Sequence, residues 1–219
     1  MSKNDNFVYL TFSLILLLLG TALAQQFFSH SVQHLMQSTM VLTLVVAVWG
    51  VESERLLFRR ALIFPCAIVI IALLSYWLDM RGLDHLHLFF MLVFFVITAH
   101  KTAKQVLFTG DVNGNKILGA ICLYLLMGLI WAILYTLMQL SFDDSFLSLE
   151  NSKEWFTLFP DFIYFSFITL TTVGFGDISP TQPVARFLVY FEAVVGQFYL
   201  AILVASLVGS HMSAVSKKR

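Results

Sequence analysis

The stretch TLTTVGFGDISP, Thr169–Pro180, lies between two long apolar segments and is too polar and too rich in glycine to cross a bilayer as a helix. Its two glycines flank one phenylalanine, and an aspartate follows directly. The surrounding chain fixes its setting. Of 219 residues, 59% are hydrophobic, 22 are Phe and only 12% are charged, against roughly 45–50% apolar and 25% charged in soluble domains. Such a composition implies an integral membrane protein embedded in a lipid bilayer, and its long apolar windows, given below, make it an all-α one.

Chemistry of other kinds finds little support. Cys66 and Cys122 each lie inside an apolar run, where a reduced, buried thiol is expected. The six histidines are scattered, and neither a nucleophile with a base nor a metal-ligand cluster appears, so no enzyme, no nucleic-acid partner, no small-molecule substrate and no organic cofactor is expected. Asp111-Val-Asn-Gly-Asn115 begins like a calcium loop, but Lys116 occupies the required glycine position, and the stretch reads as a turn. A dinucleotide fingerprint would need a third glycine where Ser179 stands.

Apolar windows able to span roughly 30 Å of hydrocarbon fall at 7–24, 32–50, 61–78, 86–99, 117–140 and 183–210, giving six crossings. The first of these imitates a cleaved signal at Ala22-Leu-Ala24, but Lys3 and Asp5 precede it, and it is read as a retained helix. Entering from the cytoplasm places Lys3, Arg55, Arg59, Arg60, Lys101, Lys104, Lys116, Lys217, Lys218 and Arg219 inside, with Arg81, Lys153 and Arg186 outside or near it. The positive-inside rule selects this orientation, with both termini cytoplasmic. Asp143, Asp144, Glu150, Glu154, Asp161 and Asp177 then gather outside, between the last two crossings.

Within that outer loop Phe162-Ile-Tyr-Phe-Ser-Phe-Ile168 is too apolar for a surface and must return into the protein. Pro160 and Asp161 suit a first helical turn, so a short re-entrant helix is expected from Asp161 to about Thr171. A helix that stops inside a membrane is tolerated only where protein or a water-filled cavity surrounds the broken backbone. After it, Gly174 and Gly176 alternate with bulkier residues. Glycine reaches positive φ without steric cost, and alternation of hand turns successive carbonyls to one side, as the ligand shell of a dehydrated cation requires.

Thr171-Thr-Val-Gly-Phe-Gly-Asp177 resembles the selectivity filter of potassium channels, commonly written TVGYG. The resemblance covers about 117–209: a helix, a re-entrant half-helix, the filter and a final helix. It implies that Thr172, Val173, Gly174 and Phe175 supply carbonyls to permeating K+, that the Thr172 hydroxyl adds the innermost ligand, and that four chains close one pore as a homotetramer. Phe175 departs from the usual Tyr, so the filter wall loses a phenol and must be held by packing, with Tyr164 and Phe165 as candidates. Asp177 is read as a carboxylate bonded behind the filter, to the Tyr164 hydroxyl, or as one more acidic loop residue.

In the last segment Glu192, Gly196, Gln197 and Tyr199 resemble an E-x-x-x-G-Q-x-Y pattern of prokaryotic members. An ionisable residue that deep is expensive and usually paired. Glu192 either braces the re-entrant helix through Thr169 or Ser166, or snorkels outward beside Arg186. Gly196 is a hinge or a packing site, and Tyr199, Ile202 and Ser206 are candidates for the cavity below.

The fourth window, LHLFFMLVFFVITA, carries no Lys or Arg. Moving one charge through 100 mV supplies about 2.3 kcal/mol, so a conventional voltage sensor is not expected there. Residues 1–105 are therefore read as a four-helix scaffold, or a unit sensing lipid or tension, and 106–219 as the pore domain, with 102–110 as an interfacial link. The whole describes a potassium-selective channel in the plasma membrane, the inner membrane of a prokaryote. Rivals are a weakly selective cation channel and a potassium transporter, whose filter-like loops recur several times in one chain.

Overall fold

A computed structural model describes residues 6–27, 81–108, 114–142, 144–147 and 154–216. The expected crossings at 32–50 and 61–78, with Cys66 and the arginines at 55, 59 and 60, lie outside the described residues. What is described is helical: α1 (Asn6–Phe27), α2 (Arg81–Phe108), α3 (Gly114–Ser141), α4 (Trp155–Leu170) and α5 (Pro183–Ser216). Two short strands, β1 (Phe146–Leu147) and β2 (Ser179–Pro180), pair antiparallel with Phe146 opposite Pro180. Among the described residues four helices are long and apolar enough to cross a membrane, at Phe7–Phe27, Asp84–Val106, Gly114–Ser141 and Pro183–Ser206. Helix α4 is 16 residues long, about 24 Å at 1.5 Å per residue, and falls short of a crossing.

Helix α3 is the central post. It packs against α1, α2, α4 and α5, and it contributes Cys122, Leu126, Leu129, Ala132, Ile133 and Tyr135 to the core. Helix α1 meets it with Phe7, Leu10, Leu14 and Leu17, a three-and-four spacing that marks one face, while Phe12, Ile15 and Leu19 stand exposed on the others. Apolar residues on both sides are what a helix between protein and lipid requires. Three buried threonines are accommodated by bonding their own helix: Thr11 Oγ1 donates to Phe7 O at 2.7 Å, Thr98 Oγ1 to Phe94 O at 2.8 Å and Thr136 Oγ1 to Ala132 O at 2.8 Å.

Two boundaries differ from expectation. Helix α4 begins at Trp155, six residues before the expected start, and carries Pro160 inside it. Trp155, Leu158, Phe159 and Phe162 form one buried stripe, and burying Trp155, which is 1% exposed, extends the helix by a turn and a half past the proline signal. Glu154 O starts the helix, accepting from Thr157 N at 3.2 Å and Leu158 N at 3.3 Å. Helix α2 runs unbroken to Phe108, so most of 102–110 continues it instead of forming a separate interfacial piece. No glycine or proline interrupts residues 99–108.

The approach of α5 to α4 is set at Gly196. A Cβ there would stand 2.7 Å from Leu170 O and 2.9 Å from Leu170 Cδ2, so a side chain must push backbone aside. Gly196→Ala is expected to destabilise the protein by about 1–3 kcal/mol, the usual cost of overpacking. A lowered melting temperature of the detergent-solubilised protein checks it; an unchanged one contradicts it.

Candidate functional site

Helix α4 ends by folding the next residues back on itself. Thr171 N donates to Phe167 O at 3.1 Å, Thr172 N to Thr169 O at 2.9 Å, and Val173 N and Gly174 N share Ile168 O at 2.9 and 3.2 Å. The final carbonyls of the helix, which lack intrahelical partners, thus consume the first N–H groups of the loop. Thr172, Gly174 and Gly176 have φ of 60°, 54° and 79°, so left-handed residues recur at every second position. Among the described residues the carbonyls of Thr172, Val173, Gly174 and Phe175 accept no hydrogen bond. Residues 171–177 are exposed, Phe175 at 71% and Val173 at 54%.

The far end of the loop is pinned from two sides. Tyr164 Oη donates to Asp177 Oδ2 at 2.7 Å, joining α4 to the residue after Gly176. Strand β2 then pairs with β1, and Thr181 N donates to Ser145 O at 2.9 Å, while the Thr181 hydroxyl donates to Asp144 O. The Tyr164 hydrogen bond holds the Asp177 carboxyl below its ordinary value of 3.8, burial opposing it.

Behind α4 lies a buried polar cluster. Glu192 is 0% exposed; Tyr135 Oη donates to its Oε2, and Ser166 Oγ lies 2.5 Å from Oε1 and 2.9 Å from Gly128 O. One carboxyl group therefore ties α3, α4 and α5 together, and it does so through Ser166 rather than Thr169 or the outer edge near Arg186. The Tyr135 ring meets Phe165 and Phe146 at 5.4 Å and Phe162 at 6.0 Å between centroids, a packing that fixes the phenol. Phe165 belongs to this cluster, away from the loop, and Tyr164 alone of the two reaches Asp177.

On α5, Gly196 packs on Leu170 as described. Tyr199 Oη donates to Ala120 O at 2.6 Å and its ring stacks on Tyr124 at 5.8 Å, so this residue faces α3. Gln197, one residue beyond Gly196, donates from Nε2 to Thr172 Oγ1 at 3.2 Å. Ile202 is 59% exposed and Ser206 is exposed too. With Val184, Phe187, Phe191, Val194 and Phe198, Ile202 leaves an apolar side of α5 uncovered by its own chain.

Sequence reasoning missed Tyr135 and the contact of Gln197 with Thr172. Tyr135 stands 57 residues from Glu192, and only a phenol inside an apolar helix hinted that a buried partner existed.

Residues 119–210 match the family model described as an ion channel. The chain is 36% identical over 83 residues to "Protein LctB" of Bacillus caldotenax, a match covering 37% of this chain and 61% of that protein's length. No solved structure matches. The family match supports an ion channel, and the four long apolar helices with it support a multi-pass membrane protein.

Because its folded value is depressed, the Asp177 contact is complete above 3.8 and is lost as pH falls through that lower value. Tyr164→Phe removes the main cause, so the carboxyl should titrate at higher pH. Carbon-13 NMR of the labelled aspartate should show the midpoint moving up; an unmoved midpoint contradicts the coupling.

Proposed function

We propose that this protein is a potassium-selective channel in which four copies bring residues 172–175 around one axis and pass K+ passively along their carbonyls. The observation that carries the reading is the alternation of left-handed residues at 172, 174 and 176, with the N–H groups of 172–174 already spent on the end of α4. Peptide oxygens left without donors, on a ribbon whose hand alternates, suit a dehydrated monovalent cation. The Thr172 hydroxyl adds an oxygen at the end nearest α4, so Thr172, Val173, Gly174 and Phe175 would hold the ions, with Gly176 and Asp177 closing the outer mouth.

The rest of the fold supports this use. Helix α4 acts as a re-entrant pore helix, too short to cross and enclosed between α3 and α5. The uncovered apolar side of α5 suits packing against other copies and lipid. Asp177, held by Tyr164, pins the filter from outside where Phe175 lacks a phenol. Glu192 braces α4 from behind, and Ile202 and Ser206 line the cavity below, whereas Gly196 serves the packing of α5 on α4. Six crossings, an N-terminal scaffold that does not sense voltage, cytoplasmic termini and a prokaryotic inner membrane complete the proposal.

A weakly selective cation channel is the nearer rival because Phe175 replaces Tyr. Liposomes holding the purified protein under opposed potassium and sodium gradients separate the two. The reading expects a reversal potential close to that of potassium, and a value midway between the ions contradicts selectivity. Saturable flux coupled to a second ion would favour a transporter instead.

Glu192→Ala leaves the Tyr135 and Ser166 hydroxyls without their shared acceptor, and a loss of about 1–3 kcal/mol is expected for a buried donor left unsatisfied. The mutant should yield less tetramer in cross-linking and less potassium flux. Wild-type assembly and conductance would remove the brace.

A further inference from the structure

The contact between Gln197 and Thr172 lies outside the buried packing of α5 on α4. Both residues are exposed within the single chain, and Thr172 Oγ1 accepts the amide proton at 3.2 Å across the gap between α5 and the loop. Helix packing makes the contact reproducible: Gly196 lets α5 come against Leu170 O, which places the next residue beside the first turn of the loop. Thr172 itself is held at φ 60°, with its N–H on Thr169 O, so its side chain projects from a fixed backbone.

A threonine hydroxyl has two lone pairs and one proton. If its oxygen is the innermost ligand of a permeating cation, an amide N–H on one lone pair leaves one for the ion. The amide also points the positive end of its dipole at the place the ion occupies. Both effects weaken cation binding there. Conduction needs sites that bind strongly enough to admit an ion and weakly enough to release it. An uncharged donor is suited to that adjustment: a carboxylate would trap cations, and an apolar side chain would leave the hydroxyl untuned.

We propose that Gln197 is a positioning residue that lowers the cation affinity of the innermost site through the Thr172 hydroxyl, and that it does so most strongly against divalent cations, on which the same dipole acts with doubled charge. The inference rests on the channel reading above. It assigns Gln197 a role in specificity that packing alone would not give it.

The test uses Ba2+, which is near K+ in radius and carries twice its charge, applied to the full-length protein in planar bilayers from either face. Gln197→Met removes the donor at similar length, and Gln197→Glu keeps the shape while replacing the donor with an acceptor. Block from the face on the α5 C-terminal side should tighten by roughly tenfold in Gln197→Met, the upper scale of one neutral hydrogen bond, and by more in Gln197→Glu. Block from the opposite face should change by less than about twofold, since the outer sites keep their ligands. Equal affinities for wild type and both variants from the α5 side overturn the proposal, as does a parallel change from both faces, which a merely structural role would give. A wild-type protein that passes no potassium current overturns the channel reading itself, and this outcome is distinct from either of the others.

Discussion

Everything depends on where the N–H groups after α4 are spent. A helix end leaves carbonyls in want of donors, and here the first residues of the following loop turn back to supply them, Thr172 on Thr169 O and Val173 and Gly174 on Ile168 O. The loop pays with its own hydrogen-bonding symmetry: its donors face α4 and its acceptors are left over. Glycines at 174 and 176 and a left-handed Thr172 make that asymmetry sterically available. Thr172 carries the strain, since a β-branched residue at positive φ is uncommon and persists only when its surroundings over-determine it.

The surroundings do so from three directions. From outside, Tyr164 holds Asp177 and the β1–β2 pair holds the chain that follows. From behind, Glu192 joins Tyr135 and Ser166, so that one carboxyl group links α3, α4 and α5. From the α5 side, Gly196 admits Leu170, and Gln197 reaches Thr172. The elements that carry these supports reach the aromatic and aliphatic core around α3, β1 through Phe146 and α4 through Phe162 and Phe165.

Much of this was legible in the sequence, for a physical reason. Long apolar windows give α1, α3 and α5 directly, because a bilayer demands length and little else. The loop was legible because alternating glycines have few other uses, whereas the Tyr164–Asp177 and Glu192–Ser166 contacts were each one of several alternatives that the sequence left open, and only the packing of α4 selects them. The start of α4 was not legible, since the proline signal at Pro160 is local whereas the burial of Trp155 is tertiary. Nor was Tyr135 as the partner of Glu192, which depends on how α3 is rotated against α5. Tyr199 shares the Glu192 and Gly196 face, as helical spacing requires, and that shared face is what turns it toward α3 and away from the exposed side of the helix.

The most direct test of the central claim is anomalous diffraction from crystals of the assembled protein grown with Tl+, a monovalent cation close to K+ in size. The account predicts a row of anomalous peaks on a fourfold axis, each ringed by carbonyl oxygens of residues 172–175 from four chains. Residues 172–175 lying away from any symmetry axis, or their carbonyls directed into protein with no metal before them, would contradict it.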